Sequence, residues 1–197
     1  MKMLKFAPII ASIFSLGACS IAMSYANGDN EERQGANLVT LARILQLPLA
    51  RGVSGIRTVS EELHRLHGKP AIKVPGGVAI EDGLILADGY RLNLVIEYED
   101  AGVLSISVDE GRCFPLEEAA RLTGARPTGA VGYPYAEGPD YDTRSAVKNG
   151  VEVALGRFAP AEKCLTEIRL VDVAKAGKFA EENGIDLPVK APKEVRP

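Results

Sequence analysis

Apolar and polar residues recur with two different periods along this chain, and the first period is helical. Over residues 38–47 the apolar positions recur every three to four residues, and Pro48 is expected to end this helix. Residues 51–55 then read as a break. A second helix is expected over residues 58–67, where acidic residues in the first turn favour the helix dipole. The pattern therefore predicts two N-terminal helices.

After residue 70 the period changes to two, which is typical of strands that bury one face. In the run 90–98 the apolar residues occupy the even positions, so Glu97 and Glu99 are expected on the solvated face of the sheet. Glycine, proline and aspartate separate the runs and favour tight turns. The extended runs from which the strands are expected to form cover residues 71–74, 78–80, 83–87, 90–98, 103–108, 145–148, 151–155 and 165–173.

A hairpin and two further helices complete the predicted architecture. Asn149-Gly150 lies between two extended runs and is a strong signal for a two-residue hairpin. Pro115 begins a short helix that reaches Leu122, and residues 174–183 form a last helix. The prediction is an α+β fold. An antiparallel sheet of about five to seven strands carries the two N-terminal helices and the short helix on it.

The first 18 residues are organised like a bacterial export signal. Two lysines precede an uncharged, mainly apolar run over residues 6–18. That run is too short to span a bilayer, which requires roughly 20 apolar residues. It ends in Leu16-Gly17-Ala18-Cys19, which resembles the lipobox of bacterial lipoproteins. The resemblance implies that Cys19 is the residue that receives the lipid.

The residue after the cysteine and the site of cleavage bear on where the protein resides. Ser20, and not aspartate, follows Cys19, and in lipoproteins of Gram-negative bacteria this implies transfer to the outer membrane, facing the periplasm. Cleavage after Ala26 is the alternative and would release a soluble periplasmic or secreted protein. With the lipobox, the chain divides into a signal peptide (1–18, or 1–26 in the alternative), a tether (19–37), a single domain (38–184) and a flexible tail (185–197).

The cysteines agree with export. Without Cys19, the chain has one pair left, Cys113 and Cys164, and an oxidising compartment favours a disulfide between them. A bridge that closes a loop of this size stabilises by roughly 4 kcal/mol in the chain-entropy model. Neither cysteine has a neighbouring histidine or second cysteine, so a metal site is disfavoured there.

Charge and composition exclude one class of partner. The chain has 23 basic and 26 acidic residues, a net charge of −3, which becomes −5 when Lys2 and Lys5 leave with the signal. A mildly acidic chain without a basic cluster lacks the means to neutralise phosphates, so no nucleic-acid partner is expected. A hydrophobic fraction of 46% is typical of a globular domain with a packed core.

No catalytic motif is readable. The chain has neither a nucleophile elbow nor a phosphate-binding glycine loop, so no catalytic residue and no cofactor are predicted. Glu61, His64 and His67 recur at helical spacing and offer ligand atoms for zinc, although this spacing differs from that of the metallopeptidases. A solvated helix face explains the same three residues, and no metal is predicted.

Carboxylates are the remaining catalytic candidates. A glycoside hydrolase needs two of them about 5 to 10 Å apart in a cleft, and sequence alone does not say which ones meet. Asp140-Tyr141-Asp142 also offers oxygens to calcium, but it lacks the regular spacing of a calcium loop. The candidates for an acid pair are Glu97, Glu99, Asp100, Asp109, Glu110, Asp140 and Asp142.

The feature that favours a binding role is a long irregular stretch between Arg126 and Arg144. Three of the chain's six tyrosines, Tyr133, Tyr135 and Tyr141, fall within nine residues of it. Tyrosine combines a large contact area with a hydroxyl group at low entropic cost, which suits recognition loops. The flanking arginines are suited to pair with carboxylates on a partner. The alternative is that these tyrosines pack on the domain's own sheet.

Three functional hypotheses follow. The first is an exported, lipid-anchored envelope protein that binds another envelope or exported protein, as an inhibitor, an immunity-type protein or an assembly accessory. Its candidate binding residues are those of the tyrosine-rich stretch and its two arginines. The second is a structural or lipid-carrying envelope component, which needs a large apolar cavity. The third is a carboxylate-dependent hydrolase that acts on cell-wall or glycan material.

Overall fold

Two helices precede a series of strands in a computed structural model that describes residues 38–128, 142–157 and 163–185. Within these ranges there are four helices and nine strands. The helices are α1 (Leu41–Arg51), α2 (Val53–His67), α3 (Leu116–Thr123) and α4 (Val173–Asn183). The strands are β1 (Ile72–Val74), β2 (Gly77–Ile80), β3 (Leu84–Ile85), β4 (Arg91–Tyr98), β5 (Val103–Val108), β6 (Arg126–Pro127), β7 (Asp142–Lys148), β8 (Val151–Arg157) and β9 (Glu167–Asp172).

All described strands join one antiparallel sheet. Their order is β1-β2-β4-β5-β9-β8-β7-β6, and β3 pairs with β4 beside this path. The predicted α+β class is confirmed. The described strands number nine, more than the five to seven expected, and two of them, β3 and β6, have only two residues each. Strands this short carry too few positions for alternation to be read from the sequence.

The hydrophobic core lies between one face of the sheet and the helices α1, α2 and α3. Alternate residues of the central strands face it, because successive side chains of a strand point to opposite faces. Arg43 of α1 and Glu62 of α2 form a two-bond ion pair, with the closer contact at 2.7 Å, that joins the two helices. The largest fully buried side chains are Leu41, Ile44, Leu45, Leu63, Ile80, Leu92, Leu104, Ile106, Leu155, Leu165, Ile168 and Leu170.

Pro48 does not end the first helix, which continues to Arg51. A proline inside a helix leaves the carbonyl four residues earlier without its usual donor. Here Pro48 is buried together with Leu47 and Leu49, and tertiary packing of this apolar turn outweighs the lost hydrogen bond. The prediction of a helix end at Pro48 was therefore wrong.

The predicted break at residues 51–55 is shorter in the structure, where only Gly52 separates the two helices. Gly52 has a φ of 65°, and α2 begins directly after it. Gly55 lies within α2, where a Cβ atom would be 2.5 Å from the carbonyl oxygen of Leu47. The glycine that looked like a helix breaker thus permits the close approach of two helices.

The predicted hairpin is confirmed at Asn149 and Gly150, whose φ angles of 54° and 76° are those of a type I′ turn. The side-chain amide of Asn149 donates a hydrogen bond of 2.8 Å to the carbonyl oxygen of Leu49. The turn between β7 and β8 is therefore also attached to the end of α1.

The disulfide between Cys113 and Cys164 is confirmed, with a Cα–Cα distance of 5.1 Å. It joins the segment between β5 and α3 to the segment that leads into β9. Two backbone hydrogen bonds of 2.8 Å flank it, from Leu116 to Lys163 and from Leu165 to Phe114. Bridge and hydrogen bonds together fix the start of α3 against the start of β9.

Two side chains hold the start of α1. Thr40 caps α1 by accepting a hydrogen bond from the amide of Arg43, and the amide of Leu41 donates to Asp88. No described helix is long and apolar enough to cross a membrane. The predicted signal peptide, the whole predicted tether with Cys19, and the tail after Ile185 lie outside the described residues.

Candidate functional site

The strands β6 and β7, which flank the tyrosine-rich stretch in sequence, form a paired stem at the edge of the sheet. In this stem β6 pairs with β7, which places Arg126 opposite Ser145. Beyond it, the amide of Thr128 donates a 3.1 Å hydrogen bond to the carbonyl oxygen of Thr143, and the two hydroxyl oxygens are 3.0 Å apart. The described residues on either side of 129–141 therefore lie on neighbouring, paired strands. Tyr133, Tyr135 and Tyr141 themselves lie outside the described residues.

Arg144 is engaged within the domain. Its guanidinium donates two hydrogen bonds, of 2.6 and 2.7 Å, to the carboxylate of Glu117 on α3, and a third of 3.3 Å to Asp142. Only 14% of the Arg144 side chain is exposed. The hydrogen bonds with Glu117 raise the pKa of Arg144 far above its usual range and lower the pKa of Glu117. Arg144 thus ties β7 to α3.

Arg126 has a different position. It is exposed on β6, and it forms no ion pair with another described residue. Its partner in the register is Ser145, whereas Arg144 is opposite Pro127, so the two arginines point to opposite faces of the sheet. The structure therefore separates the two cations that the sequence grouped, and leaves only Arg126 exposed at the margin of the stretch.

A concave surface lies at the end of the sheet opposite to the one where β7 begins at Asp142. It is a cleft of about 640 Å³ between α2, the adjoining ends of β4 and β5, and the first turn of α4. Its aliphatic lining residues are Val53, Ile56, Val78, Val103 and Leu104. Its charged lining residues, apart from His64, are Arg57, Glu61, Glu97, Glu99, Asp172 and Lys175. We refer to this surface as the α2 cleft.

Glu97 is the central polar group of the α2 cleft. The hydroxyl of Ser60 donates a 2.6 Å hydrogen bond to Glu97 Oε2, and His64 Nε2 lies 3.5 Å from the same oxygen. Ser60 and His64 are four residues apart on α2 and so share one face of the helix. Ser60 is only 6% exposed. It therefore holds the carboxylate from the buried side, while His64 lies on the open side.

The expectation that Glu97 faces solvent with Glu99 was wrong, because β4 contains a bulge. Leu92 is opposite Val108 and Leu94 is opposite Ser107, so Asn93 is an extra residue in β4. An extra residue inverts the faces of all later positions. Glu97 consequently faces the helix layer. The sequence carried a weak signal for this, since Asn93 interrupts an otherwise hydrophobic stretch.

Ser60, His64 and Glu97 do not form the arrangement that a serine nucleophile requires. A serine nucleophile requires a base that accepts its proton and a further group that orients the base. Here Ser60 and His64 both approach Glu97, and among the described residues Ser60 has no hydrogen bond to a histidine. Ser60 is also too buried to meet a substrate.

The zinc alternative on α2 is not formed either. His64 approaches Glu97, whereas His67 lies 3.6 Å from Asp82 and its Nδ1 is 3.1 Å from the carbonyl oxygen of Lys69. The hydrogen bond from Lys69 and the neighbouring His67 lower the pKa of Asp82. Within the described ranges there is no group of three or more histidine, cysteine, aspartate or glutamate side chains that could hold a metal ion.

The other carboxylates proposed for catalysis are distributed over separate places. Asp109 accepts a hydrogen bond from the amide of Gly111 within its own turn, and Asp142 lies in the ion-pair network of Arg144. Asp140 lies outside the described residues. Of the candidate acids, the structure places Glu97 and Glu99 in one cleft.

Comparison with known proteins gives no relative from which function could be transferred. No family model, no curated protein and no solved structure matches this chain. Its function is therefore inferred from its own residues.

Proposed function

We propose that this protein is an exported, lipid-anchored envelope protein that binds another envelope or exported protein through the tyrosine-rich stretch between Arg126 and Arg144. The observation that carries the proposal is the β6–β7 stem. Binding loops are commonly irregular segments held on a rigid scaffold, and the two strands that flank residues 129–141 in sequence are paired at the edge of the sheet.

Two further contacts reinforce the base of the stretch. The network of Arg144 with Glu117 and Asp142 attaches β7 to α3, and charge-assisted paired hydrogen bonds are among the stronger polar contacts in proteins. The disulfide fixes the start of α3 against the start of β9. A preorganised base lowers the entropy that a loop loses on binding.

Export and lipid attachment rest on the lipobox-like motif that ends at Cys19, and the disulfide agrees with an oxidising compartment. We place the protein in the outer membrane, facing the periplasm. Release as a soluble periplasmic or secreted protein is the alternative. Partners of the inhibitor, immunity or assembly type all fit this location.

The two other hypotheses receive less support. A lipid carrier calls for a large apolar cavity, and the α2 cleft has several charged lining residues. A glycan hydrolase requires two suitably spaced carboxylates, and most of the candidates lie in separate places. The binding role requires neither feature.

The test is affinity purification of the natively expressed protein from mild-detergent extracts, with a tag on the C-terminal tail. We expect a stoichiometric protein partner from the wild type. We expect its loss when Tyr133, Tyr135 and Tyr141 are all changed to alanine, because the large contact area is removed. Undiminished partner recovery with that variant would contradict the assignment of the loop.

Two controls accompany this experiment. The matched triple tyrosine-to-phenylalanine variant keeps the ring area and is expected to retain part of the binding. Thermal unfolding of each variant verifies that the domain is folded. Mass spectrometry of the purified chain reads its N-terminus, where a lipid-modified Cys19 supports the anchor and an unmodified N-terminus at Asn27 supports soluble release.

A further inference from the structure

We propose that the α2 cleft binds a basic side chain, lysine or arginine, of an exported protein segment, with Glu97 as the anion that contacts its charged group. This site goes beyond the proposed function, because it is a second surface, although it shares the premise of a protein partner.

The α2 cleft has an excess of negative charge. Four carboxylates line it against two permanent cations, Arg57 and Lys175. Neither cation forms an ion pair with a carboxylate in the part of the chain that the structure describes. A concave surface whose charge is not neutralised internally attracts ligands of the opposite sign. The ligand is therefore expected to be cationic.

Glu97 is held in place before any ligand arrives. Ser60 is buried and donates to Oε2 of Glu97, which fixes the carboxylate with its other oxygen left for a ligand. Among the described residues, no hydrogen bond reaches Oε1. A preorganised carboxylate loses little side-chain entropy when it accepts hydrogen bonds from an ammonium or guanidinium group.

The apolar residues that line the α2 cleft, which we call the apolar wall, indicate what the uncharged part of the ligand is. Val53 and Ile56 of α2, with Val78 and Leu104 of the sheet, line the cleft beside Glu97. Lysine and arginine bury their aliphatic stems along apolar surface while the charged group meets a polar partner. A bare metal ion would make no use of this wall. The combination of wall and carboxylate fits an alkyl chain that ends in a cation.

The position of the cleft makes it independent of the tyrosine-rich stretch. Tyr98, Val103 and Asp172 lie at the end of the sheet where the β7–β8 hairpin turns, as the pairings of Val103 with Val171 and of Asp172 with Val151 show. The β6–β7 stem leads to the other end of β7, at Asp142. A protein partner can thus engage the domain at two separated places.

The experiment is a two-dimensional NMR titration of the protein as purified after export in mild detergent. The probes are Nα-acetyl-arginine amide, Nα-acetyl-lysine amide and uncharged Nα-acetyl-norleucine amide. We expect saturable shifts at Ser60, His64 and Glu97 with the two basic probes only, with dissociation constants on the order of 1 mM because one side chain supplies few contacts. Glu97→Gln is expected to weaken binding at least about tenfold, whereas the matched exposed variant Glu110→Gln leaves it unchanged.

Several results would overturn the inference. Equal binding of the norleucine probe, or undiminished binding by a Glu97→Gln variant whose thermal unfolding is normal, would exclude recognition of a cation by Glu97. Binding of free spermidine more than about tenfold tighter than that of either amino-acid probe would assign the cleft to small amines instead.

The outcome is distinguishable from a failure of the proposed function. Recovery of a protein partner without any binding of the basic probes would overturn the cleft alone. Binding of the basic probes without any recovered partner would overturn the tyrosine-rich stretch as a protein-binding loop, while the cationic chemistry of the cleft would stand.

Discussion

Arg144 lies between two carboxylates, Glu117 on α3 and Asp142 on its own strand. The contact with Glu117 connects a helix to a strand that are 27 residues apart in sequence. Because the arginine is mostly buried while Glu117 is mostly exposed, the pair is screened by solvent on one side only. The effect of Arg144 on Glu117 should therefore be measurable as a change in the titration of the Glu117 carboxyl group.

The first prediction concerns this titration. Arg144→Gln removes the guanidinium cation and its two paired hydrogen bonds, so the pKa of Glu117, which Arg144 lowers, should rise toward the usual value of a glutamate. Carbon-13 NMR of the side-chain carboxyl measures it. Since the folded pKa lies below the unfolded one, the stabilisation is complete above the unfolded pKa and is lost as pH falls through the folded pKa. The variant should lose less stability than the wild type in that acidic window.

The control uses the neighbouring pair of Arg121 and Glu118 on the same helix, which is more exposed. Arg121→Gln should raise the lowered pKa of Glu118 and leave that of Glu117 unchanged. An identical titration midpoint for Glu117 in the wild type and in Arg144→Gln would refute the role assigned to Arg144.

Among the elements, the close crossing of α1 and α2 depends on Gly55, which has no side chain beyond its hydrogen atom. The Gly55 backbone approaches that of Leu47 and Pro48 so closely that a Cβ atom would be 2.5 Å from an oxygen and 2.8 Å from a Cα atom. Both neighbours are backbone atoms and cannot rotate away. The same two helices carry Pro48 and the Arg43–Glu62 pair, so their relative position is determined by several contacts at once.

The second prediction follows from this crossing. Gly55→Ala should lower the free energy of unfolding by about 2 kcal/mol, because overpacking forces the helices apart. Gly177→Ala in α4 is the matched control. No atom lies within 4 Å of its added Cβ, so the better helix propensity of alanine should stabilise by about 0.5 kcal/mol. Urea unfolding of both variants measures the difference, and an equal effect of the two would contradict the close approach at Gly55.

The ends of the helices and strands also show which local sequence signals were sufficient to predict an element. The Asn149-Gly150 turn was readable because few residue pairs favour two consecutive positive φ angles. The short helix at 116–123 was predicted to within one residue from proline, acidic residues and glycine. Pro48 and Gly55 were misread because their local preference was overridden by packing between α1 and α2, which the sequence does not display.

At the scale of the whole molecule, the disulfide joins parts of the chain that are 51 residues apart. It closes a loop that contains α3, β6, β7 and β8. The largest effect of such a bridge is expected on the unfolded chain, whose conformational freedom it restricts.

The third prediction is that Cys113→Ala combined with Cys164→Ala lowers the free energy of unfolding by about 4 kcal/mol, by the loop-closure entropy model. Denaturant unfolding without reductant measures it. The matched control is the wild type with a reductant, which should be destabilised by a similar amount, while the reductant should not affect the double variant. A double variant as stable as the oxidised wild type would contradict the stabilising role of the bridge.

The sequence by itself determined the features that depend on local backbone preference or on covalent chemistry. These are the α+β class, the hairpin at Asn149-Gly150 and the pairing of Cys113 with Cys164. Only the tertiary structure decided the α2 cleft and the partners of Arg144. Asn93 as an extra residue in β4 turns Glu97 toward α2, and pairing between β6 and β7 separates Arg126 from Arg144. Register and helix crossing arise from contacts between distant residues, so no local pattern contains them.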